Sequence, residues 1–125
     1  MMTTAASIGE AVTPDEIRAA LQRMTGSDVF SRSPQLGAFL RFVVEAVLQG
    51  KAGRIKAYTI GIEVLRRDTK FDPQLDPIVR VDARRLRDKL REYYGSAPHD
   101  PVVIAVPKGS YAPLFQMNGT VVALA

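Results

Sequence analysis

DPIVRVDARRLRDKLREYY, residues Asp76 to Tyr94, is the stretch that decides how this chain folds. Asp76 followed by Pro77 is a helix start. The carboxylate accepts from exposed N–H groups of the first turn, and proline fits the first helical position because its missing N–H had no partner there. At about 100° per residue, Val79, Ala83, Leu86, Leu90, Tyr93 and Tyr94 fall on one apolar stripe suited to a core. Arg80, Arg84, Arg87 and Arg91, spaced 4, 3 and 4, share a second stripe about a quarter turn away. Like charges at that spacing repel by a few tenths of a kcal/mol per pair, about what an approaching anionic surface would reverse. A solvated helix face explains such a run equally well, so the remaining chain has to decide.

The charge is concentrated. Residues 80 to 91 hold six basic side chains (Arg80, Arg84, Arg85, Arg87, Lys89, Arg91) against Asp82 and Asp88, an excess of four that equals the net charge of the whole chain. A pI near 9.7 points to an acidic partner. Nucleic acid comes ahead of a membrane, because the cations are not paired with an exposed apolar helical face and no apolar run nears the roughly 18 residues a bilayer requires. With 125 residues, 46% of them hydrophobic, the chain is expected to form one domain around a single modest core. There is no cysteine, which removes disulfides, thiolate metal sites and thiol nucleophiles and suits a cytoplasmic location. The N-terminus lacks the basic and apolar regions of a secretory signal.

From the start, residues 1–12 read as a flexible tail. Thr13-Pro14-Asp15-Glu16 is a capping-box helix start, and Ile17, Leu21 and Met24 give that helix a narrow apolar stripe up to Gly26. Ser33-Pro34 opens the most apolar helix, about 34–49, the expected core helix. Next comes a basic linker with an extended piece around Arg54 to Tyr58. A short helix over 60–67 is capped by Thr59, and the loop after it is anchored by Phe71 and Leu75. Beyond Tyr94, GSAPHDP stops the basic helix. VVIAV and YAPLF then flank a Pro-Lys-Gly-Ser turn as a β-hairpin, with Pro113 restricting the second strand to an edge. The last ten residues offer an extra strand from Thr120 to Leu124 or a self-association segment.

This order is mostly α with a C-terminal β-hairpin. Val81-Asp82-Ala83-Arg84-Arg85-Leu86-Arg87-Asp88-Lys89-Leu90, followed by Val106-Pro107-Lys108-Gly109-Ser110-Tyr111, resembles the recognition helix and wing of OmpR/PhoB-type transcription factors. It is also similar to the winged-helix segment of bacterial proteins carrying cyclase or tetratricopeptide modules. The resemblance covers about residues 33–115. It departs from the pattern in lacking a four-stranded sheet ahead of the core helix, whose place is taken by the extra N-terminal helix, and in having Ser110 where a second wing glycine would stand. It implies a winged helix-turn-helix domain over 13–115, followed by a tail or strand over 116–125. The implied recognition helix, about 77–94, enters the major groove of double-stranded DNA, and the hairpin wing, about 102–115, rests on the backbone or minor groove.

Arginine can donate two hydrogen bonds to guanine O6 and N7, so Arg80, Arg84 and Arg87, in the first half of the helix, are the expected base readers. Arg85, Lys89 and Arg91 are expected on phosphates, Lys108 and Ser110 on the backbone or minor groove, and Lys56 and Thr59 on phosphates near the short helix. Val81 either meets a thymine methyl or packs under the Phe71 loop. An alternative is an adaptor using the same basic helix on an acidic partner, such as an RNA polymerase subunit or a partner regulator. A homodimer would supply the specificity that one short reading helix lacks.

Catalysis has little footing. The single histidine, His99, sits in a Pro-His-Asp-Pro turn with no second histidine to build a metal site, and helix capping accounts for Asp72 and Asp76. The glycines are scattered, with no phosphate-cradling loop. No catalytic residue, metal or cofactor is expected.

Overall fold

A computed structural model describes residues 12–118, so the expected tail (all but Val12) and the expected strand Thr120–Leu124 lie outside the described residues. Five helices lead into one two-stranded antiparallel sheet. Helix α1 (Pro14–Thr25) begins with the expected capping box, in which Glu16 N donates to Thr13 Oγ1 at 3.1 Å and Thr13 N to Glu16 Oε1 at 2.9 Å. Hydrogen bonding from the Thr13 backbone N–H, and then from its side chain, holds the Glu16 carboxyl below its ordinary range. Helix α2 (Asp28–Ser31) was not expected. It is a single turn capped by Ser27, too short for any periodicity to register, and it buries Phe30.

Helix α3 (Pro34–Leu48) forms the floor of the core with Leu36, Phe39, Leu40, Val43 and Val44, while Arg18 of α1 grips Glu45 on its outer side through two bonds of 3.1 Å. The linker departs from expectation. Ala52–Arg54 is a 3₁₀ turn rather than extended chain, and helix α4 (Ala57–Glu63) starts before Thr59. Thr59 therefore lies inside the helix and does not cap it, and Lys56 occupies the capping position. Burial of Ile60 and Gly61 against the core outweighs threonine's local preference for a cap.

Residues 64–77 cross from α4 to the basic helix. Asp68 and Asp72 organise them, each accepting from the backbone N–H two residues on at 2.9 Å, and Arg67 pairs with Asp76 at 3.5 Å. Phe71 is buried as expected; Leu75 is not an anchor, standing 82% exposed. The asymmetry has a cause in Gly61. A Cβ there would overlap the Phe71 ring, so the missing side chain is the socket the ring fills. Gly61→Ala is expected to lower stability by about 1–3 kcal/mol through overpacking, to be read as a fall in thermal midpoint. An unchanged midpoint would show that the loop seats Phe71 some other way.

The basic helix, α5 (Ile78–Ser96), begins one residue later than expected, with Asp76 Oδ1 accepting from Ile78 N at 3.0 Å, and continues past Tyr94 to Ser96. Its inner stripe of Val79, Ala83, Leu86, Leu90 and Tyr93 is buried. Strands β1 (Val102–Ala105) and β2 (Leu114–Met117) pair with Val102 opposite Met117 and Ala105 opposite Leu114. The second strand thus starts after Pro113, not through it, and runs past residue 115, where the folded domain was expected to end.

A lone hairpin is marginally stable in water. This one is held at its base by Asp100, whose side chain is 4% exposed. Its carboxylate accepts from Arg23 Nη2 at 2.8 Å, Arg23 Nε at 3.3 Å, Tyr93 Oη at 2.8 Å and Val102 N at 3.1 Å. Asn118 closes the same corner, its amide donating to the Pro98 and Asp100 carbonyls at 2.8 and 2.9 Å. The hydroxyl of Tyr94 lies along the outer side of β1, accepting from Ile104 N at 2.8 Å and donating to Val102 O at 3.3 Å. Burial raises the Tyr93 phenol to about 12 and pushes that of Tyr94 higher still. Both tyrosines are therefore structural members of the hairpin joint.

Candidate functional site

The two walls of the site are the outward side of α5 and the loop that joins β1 to β2. Between them lies a cleft of about 640 Å³, lined by Arg80, Arg84, Arg87 and Arg91 from the helix and Lys108, Gly109, Ser110 and Tyr111 from the loop. Asp88 is the single carboxylate among these residues, facing five cations. The spacing of 4, 3 and 4 thus does bring the arginines to one place, and the hairpin adds the lysine. Gly109, at φ +87°, makes the turn that carries Lys108 out beyond the strands. Tyr111 forms the cleft's link to the core, its ring edge-on to Phe39 at 6.4 Å.

Helical angle and burial together rank the outer side chains. The direction opposite the buried stripe is occupied by Val81, Arg84, Asp88 and Arg91, all exposed, with Arg80 and Arg87 nearer the flank. Arg84 makes no hydrogen bond or ion pair among the described residues, and its cation is fully available. Val81 is 38% exposed. Arg80 donates to Pro73 O at 3.1 Å, which ties the start of the helix to the preceding turn. Arg91 is bonded to Asp88 one turn away, and Arg85, 65% exposed, lies 3.6 Å from Asp82.

Arg87 differs from the rest. It is half-buried, and its Nε donates to Val106 O at 3.0 Å while its Nη2 donates to Pro107 O at 3.1 Å and to Ser110 O at 2.8 Å. No carboxylate neutralises it; three of its five N–H donors are taken up by backbone carbonyls of the hairpin loop. Ser110 is part of the same arrangement, since its hydroxyl accepts from Ala112 N at 3.0 Å.

Lys56, Thr59, Arg85 and Lys89 do not line the cleft. Lys56 stands at the start of α4 and Thr59 within it, and Lys89 leans toward Glu92 at 3.7 Å. Asp82, treated in the sequence as one of two acids on a basic surface, is a buried member of the helix. Gln35 donates to its Oδ2, while its Oδ1 has no hydrogen-bond partner. The sign that it turns inward was its helical angle, close to that of the apolar stripe. Among the described residues no cluster of side chains could hold a metal ion, and no helix is long and apolar enough to cross a membrane.

No protein-family model, curated protein or solved structure matches this chain.

Proposed function

We propose that this protein is a sequence-specific double-stranded DNA-binding regulator of transcription, acting in the cytoplasm through a winged helix-turn-helix arrangement. In it α5 is the recognition helix and the β1–β2 loop the wing. The observation that carries this reading is the collection of four arginines and Lys108 around one cleft that holds a single carboxylate. A helix fits the major groove, and a basic loop beside it falls on the neighbouring backbone. Arg84, outermost and unbonded, is the central base reader, with Val81 one turn before it positioned for a thymine methyl. Arg80, Arg85 and Arg91 meet phosphates, Arg91 by exchanging Asp88 for a phosphate oxygen.

Fluorescence anisotropy with a labelled duplex selected from a random pool tests it. Arg84→Ala is expected to weaken binding by about 1–3 kcal/mol and to relax preference at one base pair. Equal affinity for selected and scrambled duplexes in both proteins would overturn the reading. A second reading, an adaptor for an acidic protein surface, is favoured by Leu75, exposed in the turn to which Arg80 is bonded. Pull-down with and without nuclease separates the two, because only a nucleic-acid partner is lost on digestion.

A further inference from the structure

The geometry points to Arg87 as a positioning residue: it does not touch DNA but fixes the wing against the recognition helix, and the phosphate contact of Lys108 depends on it. This inference rests on the duplex-binding reading above and changes what one of its arginines does. A guanidinium has five N–H donors in a rigid planar fork. Three of the five are spent on the carbonyls of Val106, Pro107 and Ser110, all within 3.1 Å. Those carbonyls flank the tip on both sides. With all of them turned toward one side chain of α5, Lys108 and Gly109 are left projecting into the cleft mouth.

Val106, Tyr111 and Pro113 anchor the two ends of the loop, Tyr111 with its ring against Phe39, but the tip between them has little else to hold it. Within residues 106–113 the bonds are Ser110 N to Pro107 O at 3.1 Å and Ala112 N to the Ser110 hydroxyl at 3.0 Å, and neither reaches the helix. The angle of the tip to α5, and with it the distance between Lys108 and the exposed arginines, is therefore set chiefly by Arg87. Lysine cannot take this place. Its three donors radiate from one nitrogen and do not span three separated carbonyls.

Duplex titrations over a salt series with the full chain test the assignment. Lys108→Ala is expected to reduce the salt slope by about one, the loss of a single phosphate contact. Arg87→Ala is expected to reduce it equally, the double variant no further, and Arg87→Lys, although it keeps the charge, to behave as Arg87→Ala. Additive losses in the double variant, or rescue by Arg87→Lys, would overturn the inference and return Arg87 to the DNA. If the wild-type chain bound no duplex, the reading of function would fail by itself, and tryptic cleavage after Lys108 would still decide the clamp. Faster cleavage in Arg87→Lys at an unchanged thermal midpoint supports the clamp, and an equal rate rejects it.

Discussion

Replacing Asp100 by alanine is expected to destabilise the protein by about 3 kcal/mol, because the Val102 N–H and the Tyr93 hydroxyl each lose a buried acceptor at about 1–3 kcal/mol. Arg23 adds less, since its side chain is 44% exposed and regains water. In a domain of this size that is a fall of on the order of 10–20 °C in thermal midpoint. The pH dependence has a definite sign. Burial pushes the Asp100 carboxyl up, but the bonds from Arg23, Val102 N and Tyr93 together outweigh it and hold the group below its ordinary range. A group whose folded value lies below its unfolded value of about 3.9 stabilises fully above that pH, and its contribution is lost as pH falls through the folded value. Going from neutral pH to about pH 3 should therefore cost the wild-type chain more than it costs Asp100→Ala, which has no such contribution to lose. Parallel stability–pH curves would show that the carboxylate does not hold the hairpin.

Duplex affinity is expected to fall by about 150-fold between 50 and 200 mM salt, from four phosphate contacts at a slope of about 0.9 each. The four are Arg80, Arg85, Arg91 and Lys108, Arg84 being given to a base. Arg87 is left out because three of its five donors are held by the hairpin loop, and Lys89 because Glu92 and partial burial hold it back. Removing Arg91 and Lys108 together should reduce the slope to about 1.8, so that wild type and variant diverge most at low salt. A flat salt response would mean that the cleft does not hold phosphates, and the adaptor reading would gain what the duplex reading lost.

What the sequence made legible was whatever repeats along a helix. The buried stripe of α5, the apolar α3 and the convergence of Arg80, Arg84, Arg87 and Arg91 all follow from residue spacing, because a helix converts spacing directly into direction. Contacts across the chain were not encoded in that way. Asp100 read as a turn residue between two prolines, yet its partner Arg23 lies 77 positions away on what looked like the polar side of a minor helix. The work of Arg87 was hidden for a different reason. Its acceptors are main-chain carbonyls, which every residue has, so no residue type in the loop marked them. Leu75 and Thr59 failed where a local preference met geometry it could not see. The Gly61 socket admits one aromatic ring and leaves Leu75 outside, and packing of Ile60 drew the helix start back past Thr59.

The outer side of β1 ends as a row of main-chain groups already satisfied: Val102 N by a carboxylate, Val102 O and Ile104 N by a phenol, Val106 O by a guanidinium. Strands left bare in this way recruit strands from other molecules and seed aggregates. Here side chains of α5 and the Asp100 corner stand where a third strand would otherwise be needed, so a hairpin of only two strands can face solvent at high protein concentration with that edge closed to self-templating.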